Sequence, residues 1–251
     1  MNVLSKIFKL YIPISLAVIC TTNADAQHRV TYKVEGGKVV SSQQAPEQQA
    51  STAVDNNTKV AAESVDLDEL EFIEMVNSVS LDEKSAALIR KFQEKEGRNR
   101  LYNTVYNAKN NCMVETYRNK EVLLITIPAS LLFAPNDTIL RSDATKFLAP
   151  IKRYLKDPDM YRVLMVMHTD NTGSQAYRDH ITEARIGAVA DWYESQSDCD
   201  TSFLFPYAFG DDMPLKENNT MANRQANRRL EIYLVPGKKM LSQAKKGRIV
   251  F

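Results

Sequence analysis

Cysteine, histidine and net charge are all scarce in this chain: three cysteines, three histidines and a formal charge of +1 across 251 residues. No Cys-x-x-Cys or His-x-x-x-His spacing occurs, so no metal site and no cofactor is expected. Balanced charge offers no electrostatic footprint for nucleic acid. There is no G-x-S-x-G motif and no carboxylate pair with a metal signature, so no catalytic set stands out and the chain is expected not to be an enzyme. Only one apolar run approaches the length of a membrane span, and it lies at the very start. No set of alternating ten-residue segments suggests a barrel.

That first run reads as an export signal over residues 1–26. Lys6 and Lys9 precede or flank an apolar stretch from Leu10 to Cys20, and Ala24-Asp25-Ala26 is an A-x-A cleavage site. Two other readings stay open. Cys20 can be a lipid-bearing cysteine, although Ala17-Val18-Ile19 lacks the small residue expected just upstream. The run can also remain as an anchor, although it is short and Pro13 interrupts it. Export implies an oxidising compartment, which makes Cys112 and Cys199 a candidate disulfide. Two unpaired thiols are the alternative.

Residues 27–62 are rich in Ser, Gln, Ala and Asn and read as a flexible arm, with room for a short strand at 30–34. Residues 63–120 open with helical periodicity. Leu67, Leu70, Ile73 and Val76 form one apolar edge, and Leu81, Leu88, Ile89 and Phe92 another. Ser80 and Glu83 form a capping-box pair for the second helix, and Gly97 is placed to end it. These helices read as a hairpin packing on the C-terminal domain, or as a docking element for a partner. Arg98 to Lys120 carries no clear signal.

From 121 the pattern becomes strand, helix, strand, helix, strand, strand. The strands are expected at 121–128, 163–167, 202–209 and 228–236. Pro150 interrupts the first helix, and a short helix lies in 218–227. This order implies an α+β domain over 121–237: a βαβαββ mixed sheet with helices on one face, preceded by the arm and the helical segment. Residues 238–251 form a basic tail. Phe251 ends the chain as a phenylalanine ends many outer-membrane barrels, and without barrel strands it reads as coincidence.

The stretch 163–185 organises the domain. Val163 to Met167 is a buried strand, His168-Thr169-Asp170 its exit, and Thr172-Gly173-Ser174 a turn with Ser174 as N-cap. Tyr177, Ile181, Ala184, Ala188 and Trp192 then form an apparent apolar stripe. Asp170 at the strand end and Arg185 about two to three turns into the helix can grip a zwitterion, acid to ammonium and guanidinium to carboxylate. The same two residues can also be a structural ion pair pinning turn to helix.

The sequence HTDNTGS, the helix through Arg185 and the later NRRLEIYLVP together resemble the OmpA C-terminal-like peptidoglycan-binding domain family, as does LFAPNDTIL upstream. The family pattern runs G-H-T-D-x-x-G, N-x-x-L-S-x-x-R-A and N-R-R-V-E-I. Matching residues include His168, Thr169, Asp170, Gly173, Arg185 and 227–232, and the resemblance covers about 122–236. It implies a non-catalytic periplasmic protein, associated with the outer membrane or cell wall. Such a protein holds peptidoglycan by the diaminopimelate end of the stem peptide, with an outer-membrane or envelope protein as a further partner. Asp170 and Arg185 are the implied grip, Asn136 and Thr172 supply polar contacts, and Arg228 lines the far wall. Two positions depart from the pattern: Met167 stands for Gly, and Arg178 for Asn. Arg178 is expected either to pair with Asp170 or to carry its charge out to a second ligand carboxylate.

Overall fold

A computed structural model of the protein describes residues 32–35, 38–41, 67–77, 81–102 and 104–251. The export signal and most of the arm lie outside the described residues. The described residues fall in two compact units. In the first, β1 (Tyr32–Glu35) pairs antiparallel with β2 (Lys38–Ser41). The rest belongs to the second unit.

That unit contains α1 (Leu67–Asn77), α2 (Glu83–Glu96), β3 (Met113–Tyr117), β4 (Val122–Pro128), α3 (Thr145–Leu148), β5 (Tyr161–His168), α4 (Gln175–Glu194), β6 (Leu204–Ala208), α5 (Met221–Asn227), β7 (Arg229–Pro236) and α6 (Lys238–Lys245). The five strands form one mixed sheet in the order β3-β4-β7-β5-β6. Only the β5–β6 pair is parallel, as expected for two strands joined by the crossover helix α4. β7 runs antiparallel between β4 and β5, so β4, β5 and β6 all point the same way. The mixed α+β architecture agrees with the sequence pattern. β3 is an addition from the stretch that carried no signal.

Alternation along β7 sorts the two faces. Leu230, Ile232 and Leu234 join Ile125, Met165, Phe147, Val189 and Tyr193 in the main core under the helices. Tyr233 and Val235 face the other way, where Phe72 and Val76 of α1 cover them. Phe72 meets Tyr207, Phe209 and Tyr233 edge to face at 5.7, 5.5 and 5.0 Å. The two early helices therefore do not form a hairpin on one side. α1 covers one face of the sheet and α2 joins the main core through Ile89. Gln93 of α2 is fully buried and bonds Glu121 O at 2.9 Å and the Tyr161 hydroxyl at 3.0 Å. Of the apolar edges, Val76 and Ile89 are buried in this packing, whereas Leu70 stays exposed.

Local signals hold in part. The cap of α2 is Asp82, whose Oδ1 accepts from Ser85 N at 2.9 Å; Ser80, the expected cap, lies outside the described residues. Gly97 stands at the C-cap of α2 as expected, in a right-handed conformation, and the chain passes on into a π-helical turn over Gly97–Leu101. A Cβ at Gly97 would sit 2.9 Å from Leu123 Cδ2, so the glycine permits close approach to the sheet. Pro150 falls where α3 gives way to a 3₁₀ segment over Ala149–Leu155. The buried stripe of α4 is Ile181, Thr182, Arg185, Ile186, Val189 and Tyr193, displaced from the expected one, while Tyr177 is exposed. Two polar residues on that stripe hid it from a reading of apolar periodicity.

Cys112 and Cys199 are free thiols, so the candidate bridge is not formed. Cys112 is buried near Tyr106, and desolvation pushes its thiol up to about 11. Cys199 is half-buried near Tyr193. The two tyrosines are themselves fixed, donating to Phe147 O and to Leu148 O, the latter at 2.8 Å.

Candidate functional site

Because β4, β5 and β6 are mutually parallel, their C-terminal ends and the loops that follow them meet at one end of the sheet. The loop after β4 carries Asn136 and Asp137, the loop after β5 carries Asp170 and Thr172, and the loop after β6 carries Asp211. Arg228 arrives at the same end because β7 starts there, with Arg228 O accepting from Ala129 N at 2.9 Å. Sequence motifs far apart in the chain are brought together by this topology.

Asp170 is buried, at 2% exposure. Its Oδ1 accepts from Thr172 N at 2.8 Å, and its Oδ2 is paired with the Arg228 guanidinium. Burial works to raise its carboxyl, but the Thr172 bonds and the Arg228 charge outweigh burial and hold it below the usual Asp value. The partner of Asp170 is therefore Arg228, not Arg185, and the ion pair considered between turn and helix is absent.

Arg185 is also buried, reaching from the third turn of α4 toward the loop after β4. Its Nε donates to Asp137 O at 2.8 Å and its Nη2 to Ala134 O at 3.3 Å, while its guanidinium lies 5.0 Å from the centre of the Phe133 ring. Carbonyls and a ring face hold the cation without neutralising it. Burial pulls its pKa down, and the nearby Arg228 charge adds to this.

Asn136 takes a left-handed conformation, φ 58°, and its Oδ1 accepts from the Tyr177 hydroxyl at 3.1 Å. Tyr177 is a site-rim residue that the apolar-stripe reading misassigned. Its hydroxyl at the first turn of a helix following the motif was the available signal. Thr172 acts on Asp170 through its backbone amide and its side chain.

Arg178 does not pair with Asp170. Its Nε donates to Asp211 Oδ1 at 2.6 Å and its Nη1 to Gly173 O at 2.6 Å, and Nη2 is engaged by Gln175. It ties the loop after β6 to the start of α4. Asp211 was not singled out in the sequence, because nothing local marks it as an arginine partner.

Beneath the site lies a buried polar cluster. Arg229 Nε donates to Glu231 Oε1 and Tyr233 Oη to Glu231 Oε2, both at 2.7 Å. Burial opposes the Glu231 charge, yet Arg229, His168 and Tyr233 together hold its carboxyl far below the ordinary range. His168 is 1% exposed, with Nδ1 3.3 Å from Asp212 O and Nε2 3.4 Å from Glu231 Oε2. Burial and the Arg229 charge depress its pKa against the pull of Glu231 and the Asp212 carbonyl. Among the described residues no group of three or more metal-ligating side chains occurs, and no helix is long and apolar enough to cross a membrane.

Residues 132–228 match the model of the OmpA family. Similar curated proteins include the outer-membrane lipoprotein YfiB of Pseudomonas aeruginosa, 31% identical over 108 residues, 43% of this chain and 63% of that protein. Outer membrane protein A of Bordetella avium is 24% identical over 115 residues, 46% of this chain and 59% of that protein. The chain thus spans less than two thirds of the length of these relatives. A MotB-like protein from Desulfovibrio vulgaris shares the fold, with a TM-score of 0.53 at 21% identity over 60% of this chain and 95% of that one.

Proposed function

Taking residues 132–228 as a domain of the OmpA family, we propose that this is an exported, non-catalytic envelope protein. In this reading it binds peptidoglycan non-covalently through the diaminopimelate end of the stem peptide. The observation that carries the reading is the separation of Asp170 from Arg185. A buried carboxylate and a buried guanidinium stand at one end of the sheet, each held by other groups and not by one another. A ligand ammonium approaches Asp170, where it joins or displaces Arg228. A ligand carboxylate is met by Arg185, whose Nη1 is not used on the Asp137 and Ala134 carbonyls, and by the half-exposed Arg228. Asn136 and Thr172 shape the rim. Arg178 positions the loops and stays out of the ligand shell.

The binding reading is favoured over an enzymatic one by His168. The residue best suited to act as a base is sealed under the site against Glu231 and Asp212. The envelope location follows from the same domain assignment together with the export signal read at 1–26.

Retention on purified sacculi tests the proposal. Wild type is expected to be retained, and Asp170→Asn and Arg185→Ala each to lose most of that retention with unchanged circular dichroism. Each substitution leaves one ligand charge unpaired in the cleft, a cost of about 1–3 kcal/mol or more. Equal retention of both variants would refute the site.

A further inference from the structure

The basic tail is not a solvated strand of charge. Its helix α6 buries Met240 and Ala244 against the main core, beside α2. Beyond the helix the chain folds back, with Arg248 N donating to Gln243 O at 3.2 Å and Val250 N to Gln243 Oε1 at 2.8 Å. Phe251 closes the arrangement. Its ring lies 5.7 Å from Tyr154 and 5.2 Å from Tyr161, with the Arg153 guanidinium 4.4 Å above it. Phe251 thus serves as an aromatic anchor for the tail.

This docking places two sets of cations side by side. Lys84 and Lys91 of α2 border a groove of about 260 Å³ whose floor includes Ala87, Leu88, Ala244 and Gly247. Lys245, Lys246 and Arg248 adjoin Ala244 and Gly247 in the chain and are exposed. None of these five cations has an ion pair among the described residues. The acids of α2 on the outer side are already matched, Glu83 by Arg90 and Glu94 by Arg98. Val250, next but one to Arg248, exposes 56% of its surface, and Leu88 is half-buried.

We propose that this α2–α6 face docks onto an anionic phospholipid surface. Several unpaired cations with apolar side chains among them suit a headgroup layer, where lysine stems lie along the interface and their charges meet phosphate. The groove is too small to seat a partner helix, so an acidic protein would find charge without an apolar anchor. Because Lys84, Lys91 and Lys245 are carried by packed helices, and Lys246 and Arg248 by the hydrogen-bonded turn beyond α6, little ordering is needed on contact. The face is separate from the Asp170–Arg185 cleft and does not depend on the peptidoglycan reading.

Co-sedimentation of the full chain with phosphatidylcholine vesicles, with and without phosphatidylglycerol, tests this. Retention on the anionic vesicles is expected to exceed that on neutral ones about ten-fold at low salt, and the excess to vanish near about 0.5 M salt. Charge reversal at Lys84, Lys91, Lys245 and Lys246 to Glu should remove the excess, while Asp170→Asn should leave it intact. If the four-fold variant unfolds, Lys245→Gln with Lys246→Gln and Arg248→Gln should still lower the excess several-fold at an unchanged melting temperature. Equal retention on both vesicle types, or an excess that survives neutralisation, overturns the proposal. So does a wild type that ignores vesicles and is captured by an acidic envelope protein.

Discussion

Asp170 and Arg228 form a pair whose two members have different surroundings: the carboxylate is sealed and the guanidinium is half-exposed. The depressed carboxyl sets a sign for pH dependence. A folded-state value below the unfolded one contributes stability that is present above the unfolded value and is lost as pH falls through the folded one. Sacculus retention by the wild type should therefore persist below the ordinary Asp range before failing. Arg228→Ala removes one of the groups holding that carboxyl down, so the acid limb of retention should move to higher pH. Retention against pH for the two proteins checks this, and coincident curves would remove Arg228 from the site. Glu231 is a stricter case, because both it and Arg229 are nearly inaccessible. Glu231→Gln would leave Arg229 buried without its counter-charge, and a loss of roughly 3–5 kcal/mol is expected in denaturant unfolding. His168 adds to acid sensitivity. Its folded value lies below the unfolded one, so stability is lost as pH drops below the ordinary histidine range.

At the scale of elements, the turn between β5 and α4 sets the geometry of the site. Ser174 caps α4 through Tyr177 N at 3.2 Å, as the motif indicated. Gly173 has φ +89°, and a Cβ there would meet the Tyr177 ring at 2.8 Å. Gly173→Ala should therefore cost about 1 kcal/mol or more in thermal unfolding and displace the Tyr177–Asn136 contact, weakening sacculus retention as well. A stability loss with full retention would show that the Tyr177 rim is dispensable. On the opposite face of the sheet, α1 depends on one aromatic. Phe72→Ala deletes three edge-to-face contacts in a nearly closed site and should cost about 3–5 kcal/mol if α1 stays docked. A loss well under that range, with faster hydrogen exchange confined to α1, would mean that α1 detaches locally instead.

For the whole molecule, the free thiols lead to a labelling experiment. Cys199 is half-buried and should react with iodoacetamide in the native protein. Cys112 is buried with a thiol raised to about 11, so it should react only on unfolding. Reductant should leave the melting temperature unchanged. Native protein that takes no label even when denatured without reductant would instead establish the bridge.

Short-range chemistry was legible from residues alone. Alternation along 229–236, the buried run of β5, the Ser174 cap and the mixed α+β order all follow from periods of two and from turn chemistry, which act over a few residues. Asp170, Thr172, Asn136, Arg185 and Arg228 stand out in the motifs, and the sheet collects them at one end. Their pairing was not legible, because an ion pair is decided by which strands become neighbours. β7 inserts between β4 and β5, which delivers Arg228 to Asp170 and leaves Arg185 to backbone carbonyls. The same holds for Arg178, whose partner Asp211 comes from the loop after β6, and for Cys112 and Cys199, whose side chains are occupied by separate packing. The inner stripe of α4 is not legible as an apolar period because Thr182 and Arg185 are polar yet buried, Thr182 bonding the Arg178 and Asp179 carbonyls of its own helix and Arg185 the Asp137 and Ala134 carbonyls of the loop after β4. Sequence by itself determined most of the elements, β3 and α6 excepted, and most of the residues that gather at the site, Tyr177 and Asp211 excepted. Tertiary structure alone decided which charges meet, because long-range neighbours, unlike local periods, depend on strand order and on what each buried charge finds when water is removed.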